Sequence, residues 1–258
     1  MQSILFEIKD NVGVITLNRP DKFNSFNREM ALLLQQVLDD CENNDHVRCV
    51  LITGAGKAFC AGQDIAELSG ENALSIEVIL VEHFNPIVNK IRKLNKPVVA
   101  AVNGVAAGAG ANIALCADVV LATESACFIQ AFSKIGLIPD SGGTYFLPRL
   151  IGFQKASALM MTGDKVSATE AEKMGMIYKV FADEIFEKEA FSLALKLAQM
   201  PTKGLAYTKS ALNISLQNTF SEQLVQEDRL QRKAAATEDY KEGINAFIEK
   251  RKAVFTGK

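Results

Sequence analysis

Short apolar segments alternate with helical patterns over the first 180 residues of this 258-residue chain. Two apolar runs, Ile4–Ile8 and Gly13–Leu17, flank the polar residues Lys9-Asp10-Asn11 and predict a β-hairpin. Between Asn27 and Asn43 the apolar residues recur at a spacing of 3.6 positions, which predicts an amphipathic helix. Because strands that alternate with helices form sheets covered by those helices, the chain is predicted to be an α/β protein.

The same alternation continues along the chain and then stops. Further strands are predicted at Cys49–Thr53, Pro97–Val102, Val119–Ala122 and Ile177–Phe181. Further helices are predicted at Ala73–Leu94 with a kink at Pro86, at Gly108–Cys116, and from a capping box of Ser167 and Glu170 to about Gly175. From Asp183 onward the pattern is helical throughout, broken only at Met200-Pro201. We therefore predict an α/β core over residues 1–195 that carries the functional site, and a helical region over residues 196–258 that docks on the core or on another subunit.

Charge and cysteine content argue against several classes of protein. The formal net charge is −2 with an isoelectric point near 5.8, which argues against a nucleic-acid scaffold. Five scattered cysteines without a CxxC pair, and only two histidines, favour reduced thiols in a cytoplasmic protein over disulfides or a metal site. The N-terminus lacks the basic region of a secretory signal. Asparagines and glycines interrupt the stretch from Val98 to Ala122, so no membrane span is expected.

A series of motifs follows in a fixed order along the chain. They are Asn18-Arg19-Pro20, Ala58-Phe59-Cys60-Ala61-Gly62-Gln63-Asp64-Ile65, Lys96-Pro97-Val98-Val99-Ala100-Ala101-Val102-Asn103-Gly104, Gly108-Ala109-Gly110 and Gly136-Leu137-Ile138-Pro139-Asp140-Ser141-Gly142-Gly143-Thr144. In this order and spacing they resemble the enoyl-CoA hydratases and isomerases of the crotonase superfamily, and the match covers essentially the whole chain.

The resemblance has consequences for fold, assembly and substrate. It implies a crotonase (ClpP-like) spiral of ββα repeats with a C-terminal helical trimerisation region, in a homotrimer or a dimer of trimers. It also implies an acyl-CoA thioester as substrate. No separate cofactor is expected, because coenzyme A is part of that substrate.

Two backbone N–H groups are implied by the resemblance to hold the thioester oxygen as an oxyanion hole. They belong to Gln63 and Ala109. Glycine and alanine beside them permit a ligand to approach the backbone closely. Tight packing of a small-residue helix on the sheet is the alternative explanation of Gly108-Ala109-Gly110.

The acid and base groups distinguish reactions within the family. Relatives that add water use two glutamates, and at those positions this chain has Asn112 and Phe132, neither of which transfers protons. Asp140 remains as the candidate base, although an aspartate in this position could also cap a helix or form a turn. A single carboxylate suits isomerisation, and Phe132 as an apolar wall would raise its pKa.

The run Ile129–Asp140 and the chain ending sharpen the resemblance. Both closely resemble the ring-opening isomerases of bacterial phenylacetate degradation, which convert 1,2-epoxyphenylacetyl-CoA to oxepin-CoA and shift 3-enoyl-CoA to 2-enoyl-CoA. Further residues that the resemblance places near coenzyme A or the substrate are Lys22, Phe23, Ala61, Asp64, Ile65, Phe132, Phe247 and Lys250.

Several alternatives stay open at this point. Lys22 and Lys250 fit solvated surface lysines, and Glu82 or His83 could assist Asp140. The chain could be a hydratase with Asp140 as its single base, or a non-catalytic relative that binds RNA. The acyl group is not determined, since the pocket wall comes from residues 66–94.

Overall fold

A computed structural model describes residues 2–69 and 73–258 of the chain. Its strands are β1 (Ile4–Lys9), β2 (Val12–Leu17), β3 (Cys49–Gly54), β4 (Ala58–Cys60), β5 (Val98–Val102), β6 (Val105–Ala107), β7 (Val119–Thr123), β8 (Cys127–Ile129), β9 (Lys165–Ser167) and β10 (Lys179–Phe181). Its helices are α1 (Arg28–Asn43), α2 (Ile76–Val78), α3 (Asn85–Lys93), α4 (Ala109–Leu115), α5 (Gly143–Ile151), α6 (Phe153–Thr162), α7 (Ala168–Lys173), α8 (Asp183–Ala198), α9 (Thr202–Ser215), α10 (Phe220–Ala235) and α11 (Glu238–Ile248).

The strands form two sheets within the described residues. One has the order β1-β2-β3-β5-β7-β10 and is parallel apart from the β1–β2 hairpin. The other has the order β4-β6-β8-β9. Consecutive strands from β3 to β8 alternate between the two sheets, and helices follow each pair, so the chain winds as a spiral of ββα units. This confirms the predicted fold class.

The sequence pattern missed the second sheet. Strands β4, β6, β8 and β9 have three residues each. A periodicity of two needs at least four residues to be visible, so these strands gave no signal. The longer strands and helix α1 lie within two residues of their predicted bounds, and Asn27 caps α1 by accepting a hydrogen bond from the Met30 N–H.

Helix α8 covers one face of the larger sheet. Its alanines Ala190, Ala194 and Ala198 are buried against strand residues such as Leu51 and Val99. Alanine at each turn lets the helix axis lie close to the strands. The helix continues across position 195, where we predicted the core to end, and that division stays a prediction.

The segment that we predicted as one helix over Ala73–Leu94 is divided. It begins as α2 at Ile76, widens into a π-helical stretch at Ile79–Phe84, and resumes as α3 just before Pro86. The predicted irregularity at Pro86 is confirmed, because proline lacks the N–H that would continue the ladder. Residues 70–72, which belong to the predicted pocket wall, lie outside the described residues.

The prediction of an unbroken helical region after Pro201 is wrong. The chain leaves the helix at 216–219, at 236–237 and after Ile248. Thr219 caps α10 in a capping box with Glu222, and Thr237 caps α11, so the first two breaks each end at a new N-cap. The end of the chain folds back, and the Asp239 carboxylate accepts hydrogen bonds from the Thr256 and Gly257 N–H groups at 2.7 and 2.8 Å.

All five cysteines are free and buried, as expected from the sequence. Burial raises the pKa of the Cys60 thiol to about 12, so this residue is not a thiolate nucleophile at neutral pH. Among the described residues there is no helix with the length and apolar character needed to cross a membrane.

Candidate active site

A cavity of about 510 Å³ lies between the segments that follow strands β4, β6 and β8 on one side and the α2–α3 region on the other. It brings together six residues that the sequence analysis proposed for the site, namely Ala61, Gln63, Ile65, Ala109, Phe132 and Asp140. Most of the remaining lining is apolar and includes Leu68, Ile76, Ile79, Leu80, Phe84, Ile135, Leu137 and Ile138. The cavity therefore offers a few polar groups within an apolar wall, as ligand sites commonly do.

Two backbone N–H groups at the cavity lack a protein acceptor. Phe26 donates to the Gly62 carbonyl at 2.7 Å and accepts from the Asp64 N–H at 2.8 Å, and this pairing bypasses the Gln63 N–H. Ala109 is the first residue of α4, where no preceding turn offers an acceptor. Throughout residues 2–69 and 73–258, neither N–H donates a hydrogen bond to the protein. Both remain available for an oxygen of a ligand.

Glycines allow the two donor segments to meet. A Cβ atom on Gly62, whose φ is +93°, would lie 3.0 Å from the Ala107 carbonyl oxygen and 3.3 Å from the Ala109 nitrogen. A Cβ atom on Gly110 would lie 2.3 Å from the Cys60 carbonyl oxygen. Gly110 thus serves the close packing of α4, which was the alternative explanation of the small residues. Gly62, with its positive φ, brings the backbone of Gln63 beside Ala109.

The Asp140 carboxylate lines the same cavity as these two donors. Burial raises the pKa of Asp140 to about 6, while a hydrogen bond from Ser141 opposes that shift. The Ser141 hydroxyl donates to Oδ1 at 2.8 Å, and no described residue donates to Oδ2. Above pH 6 the side chain is therefore a carboxylate with one oxygen available to accept a proton.

The structure does not support a capping role for the Asp140 side chain. Helix α5 is capped at Gly142 without a side-chain hydrogen bond, and it is the Asp140 carbonyl that accepts from the Gly143 N–H at 2.8 Å. The backbone of Asp140 thus completes the turn before α5 and leaves its side chain to the cavity.

A family model described as enoyl-CoA hydratase/isomerase matches residues 7–258. The chain belongs to the enoyl-CoA hydratase/isomerase family. It is 46% identical to the 1,2-epoxyphenylacetyl-CoA isomerase of Escherichia coli over the full length of both chains. It is also 42% identical to a probable enoyl-CoA hydratase of Rhodobacter capsulatus, covering 99% of this chain and 98% of that one.

Solved structures agree with the family. A putative enoyl-CoA hydratase/isomerase from Mycobacterium abscessus superposes with a TM-score of 0.93 at 33% identity, covering 99% of this chain and 100% of that one. The likeness extends over the core and the C-terminal helices alike, which confirms the crotonase fold expected from the motifs.

The two positions that carry glutamates in water-adding family members serve other purposes here. Phe132 is buried, and its ring lies 3.8 Å from where a Cβ on Gly108 would be, so it forms the wall beside the Ala109 N–H. Asn112 is buried in α4, and its Nδ2 donates to the Asp140 carbonyl at 2.9 Å. Neither side chain supplies a titratable group, and Asp140 is the carboxylate among the described residues that line the cavity.

Other candidate residues lie outside the cavity lining. Asp64 forms an ion pair with Arg19 at 2.9 Å and caps the turn at Ile65–Leu68, which explains its place in the motif by structure alone. Lys22 and Phe23 are exposed next to it, and the Phe23 carbonyl accepts from the Ala61 N–H at 2.9 Å.

The residues of the C-terminal segment are more exposed still. Phe247 is 84% exposed at the end of α11, and Lys250 is exposed just beyond it. The structure brings neither of them to the cavity, so their predicted contacts with coenzyme A remain predictions, as do those of Lys22 and Phe23.

The neighbours considered as helpers of Asp140 are engaged elsewhere. Glu82 pairs with Arg28 on the surface, and His83 is fully buried and absent from the cavity lining. Sequence reasoning instead missed Ser141, which bonds the base directly, and Gln130, which donates to Asn112 Oδ1 at 2.8 Å. The position of Ser141 next to Asp140 was a signal for the first, and nothing in the sequence indicated the second.

Proposed function

We propose that this protein is an acyl-CoA isomerase that acts through an oxyanion-stabilised thioester enolate. One observation carries the proposal. Among the described residues, one carboxylate with a raised pKa, that of Asp140, lines the same apolar cavity as the unpaired N–H groups of Gln63 and Ala109.

The proposed reaction needs only these groups. Asp140 Oδ2 takes a proton from the carbon next to the thioester carbonyl, whose oxygen then carries the negative charge of an enolate. The Gln63 and Ala109 N–H groups donate to that oxygen, and one such donor contributes about 3–4 kcal/mol of transition-state stabilisation. The protonated Asp140 then returns its proton to another carbon of the acyl group, so that no atom is gained or lost.

The apolar lining supports proton return over hydration. Phe132 and Phe84 border the cavity, and such a wall keeps water from the enolate and keeps the proton on the carboxyl group. Because an isomerisation is redox-neutral and the chain supplies its own base and donors, we propose that no separate cofactor takes part and that coenzyme A enters only as part of the substrate.

The proposed substrate is 1,2-epoxyphenylacetyl-CoA. The C–C bond shared by its epoxide and its six-membered ring would open to give the seven-membered ring of oxepin-CoA, and the proton shift would accompany this isomerisation without gain or loss of atoms. The support is the 46% identity to the Escherichia coli isomerase of that name over the full length, together with a cavity large enough for a ring. We further propose that the same base shifts 3-enoyl-CoA to 2-enoyl-CoA, since that reaction also moves one proton between two carbons.

A second candidate function is the hydration of enoyl-CoA with Asp140 as the single base. It is favoured by the 42% identity to a probable enoyl-CoA hydratase. It is disfavoured by Asn112 and Phe132, because neither side chain can act as the second acid or base that activates the water.

A panel of thioesters separates the two functions. We expect the purified protein to convert 3-hexenoyl-CoA to the conjugated 2-enoyl isomer, and 1,2-epoxyphenylacetyl-CoA to a product that a ring hydrolase consumes. We expect hydration of crotonyl-CoA, followed by loss of absorbance, to be at least about a hundredfold slower, since one of two cooperating acid/base groups is worth that much or more. Faster hydration than isomerisation would reverse the assignment.

We also propose that the protein assembles as a homotrimer or a dimer of trimers through its C-terminal helices. These helices expose Phe220, Val225 and Ile248, each at least 70% accessible in the single chain. Apolar groups of this size in one region mark an interaction surface. Sedimentation velocity should give three or six times the chain mass of 28.1 kDa, and a monomer at micromolar concentration would contradict the proposal.

A further inference from the structure

A buried pair of amides links the helix of the oxyanion donor to the base. Asn112 lies one turn after Ala109 in α4, and it is 1% exposed. Its Nδ2 donates to the Asp140 carbonyl at 2.9 Å, and its Oδ1 accepts from Gln130 Nε2 at 2.8 Å. The single side chain of Asn112 therefore spans the distance between the two parts of the site.

The space around this amide is closely filled. A Cβ atom on Gly143 would lie 2.3 Å from Asn112 Nδ2, so the first residue of α5 must be glycine for the amide to fit. Gly143 itself donates its N–H to the same Asp140 carbonyl at 2.8 Å. The backbone of Asp140 is thus held by one donor from α4 and one from α5.

The hydrogen bonds to Gln130 and Asp140 restrict which residue type fits at position 112. At position 112 the side chain must donate toward Asp140 and accept from Gln130, and asparagine does both. A carboxylate would present two acceptors and place an oxygen against the carbonyl of Asp140. An apolar residue would leave the Gln130 amide, only 4% exposed, with a lost partner.

We propose that Asn112 is a positioning residue for Asp140, and that Gln130 fixes the orientation of its amide. The pair sets the distance between the base and the oxygen held by Gln63 and Ala109. This inference rests on the proposed function, because it assumes that Asp140 is the base. It also assigns a purpose to asparagine at a position where water-adding relatives carry a proton-transfer residue.

Two isosteric variants test the proposal with different atoms changed. Asn112→Asp removes the N–H group that donates to the Asp140 carbonyl. Gln130→Glu leaves Asn112 in place, but the Asn112 Nδ2 should turn toward the new carboxylate and so lose its hydrogen bond to the Asp140 carbonyl. Both should lower kcat about ten- to a hundredfold, because small displacements of a base are costly, with KM within about twofold of the native value. Both also bring a negative charge near Asp140, so the acid limb of the pH–rate profile should move to higher pH.

Thr123→Val is the matched control for the loss of a partly buried hydrogen bond. Thr123 is buried on β7 outside the cavity, and its hydroxyl donates to Asp183. The control should show a comparable loss of thermal stability with kcat and pH profile unchanged. If the two site variants behaved like this control, or kept kcat within about twofold, the positioning role would be refuted.

Asp140→Asn measured beside them separates this inference from the proposed function. Loss of turnover in Asp140→Asn with retention in Asn112→Asp and Gln130→Glu would overturn only the positioning role. Retention of turnover in Asp140→Asn would overturn the proposed function. In that case a crystal structure of Asn112→Asp still tests the linkage, because an unmoved Asp140 backbone would refute it and a displaced one would support it.

Discussion

Asp140→Asn should lower isomerase turnover by about three orders of magnitude and leave thioester binding unchanged. General base catalysis is worth roughly a hundred- to ten-thousandfold, and among the described residues that line the cavity there is no second carboxylate to take over. Asparagine has the same shape, accepts the Ser141 hydroxyl as aspartate does, and keeps the backbone contacts with Asn112 and Gly143. The loss should therefore appear in kcat and not in the dissociation constant of a thioester product.

Single-turnover kinetics and calorimetric titration with a non-reacting acyl-CoA measure the two quantities separately. Asp164→Asn is a suitable control, since that carboxylate is exposed and outside the cavity lining. If Asp140→Asn retained more than about a tenth of native turnover, the single-base mechanism would be wrong.

The titration of Asp140 also connects activity with stability. Because burial raises the pKa of Asp140 to about 6, kcat/KM should increase with pH through that value as the base form appears. In the unfolded chain the carboxyl loses its proton near pH 4. The folded protein then holds more protons between pH 4 and 6, so stability from this group decreases as pH rises over that window.

The same reasoning predicts that Asp140→Asn is more stable than the native protein at pH 8. The gain should be roughly 3 kcal/mol at pH 8 and should fall to about 0.5 kcal/mol near pH 4, where the carboxyl is protonated in the folded protein and about half protonated in the unfolded chain. Thermal melts at the two pH values measure the difference. If the native protein were more stable than Asp140→Asn at pH 8, burial of the ionised Asp140 carboxylate would not destabilise the fold.

The local motifs allowed the sequence to predict the centre of the site. Gly62 and Gly108 need positive φ, and Gln63 and Ala109 follow them directly, so the donors could be inferred from short segments. Asp140 precedes Ser141 and Gly142, which also have positive φ, and this turn directs it to the cavity. In these cases the position of each functional group depends on residues adjacent to it in the sequence.

The features that sequence reasoning missed depend on distant neighbours. Asn112 contacts Gln130 and Asp140, which lie 18 and 28 positions away, and no local sequence pattern predicts these contacts. The lack of a glutamate at position 112 indicated only that the chain lacks this proton-transfer group. The structure shows in addition that the Asn112 amide donates to the Asp140 carbonyl. Likewise, the C-terminal residues fold back because Arg48, some 200 positions earlier, donates to the Phe255 carbonyl at 2.8 Å.

Ala109→Pro should lower kcat/KM by about a hundred- to a thousandfold, because it removes one of the two N–H donors to the thioester oxygen. Subtracting a single oxyanion-hole donor typically has this effect. Proline is compatible with the first position of a helix, where its fixed φ suits the backbone and its missing N–H breaks no helical hydrogen bond. The substitution thus changes the donor while α4 can still form, and it adds a ring carbon where the hydrogen was.

Glu238→Pro is the matched control, since Glu238 is the exposed first residue of α11, far along the chain from the cavity segments. It removes an N–H that, within the described residues, donates to no protein acceptor, and it should leave kcat/KM unchanged. Circular dichroism and melting temperature check that both variants fold. A folded Ala109→Pro protein with kcat/KM within about fivefold of native would show that the Ala109 N–H does not bear the enolate charge, and Gln63 alone would then have to account for the stabilisation.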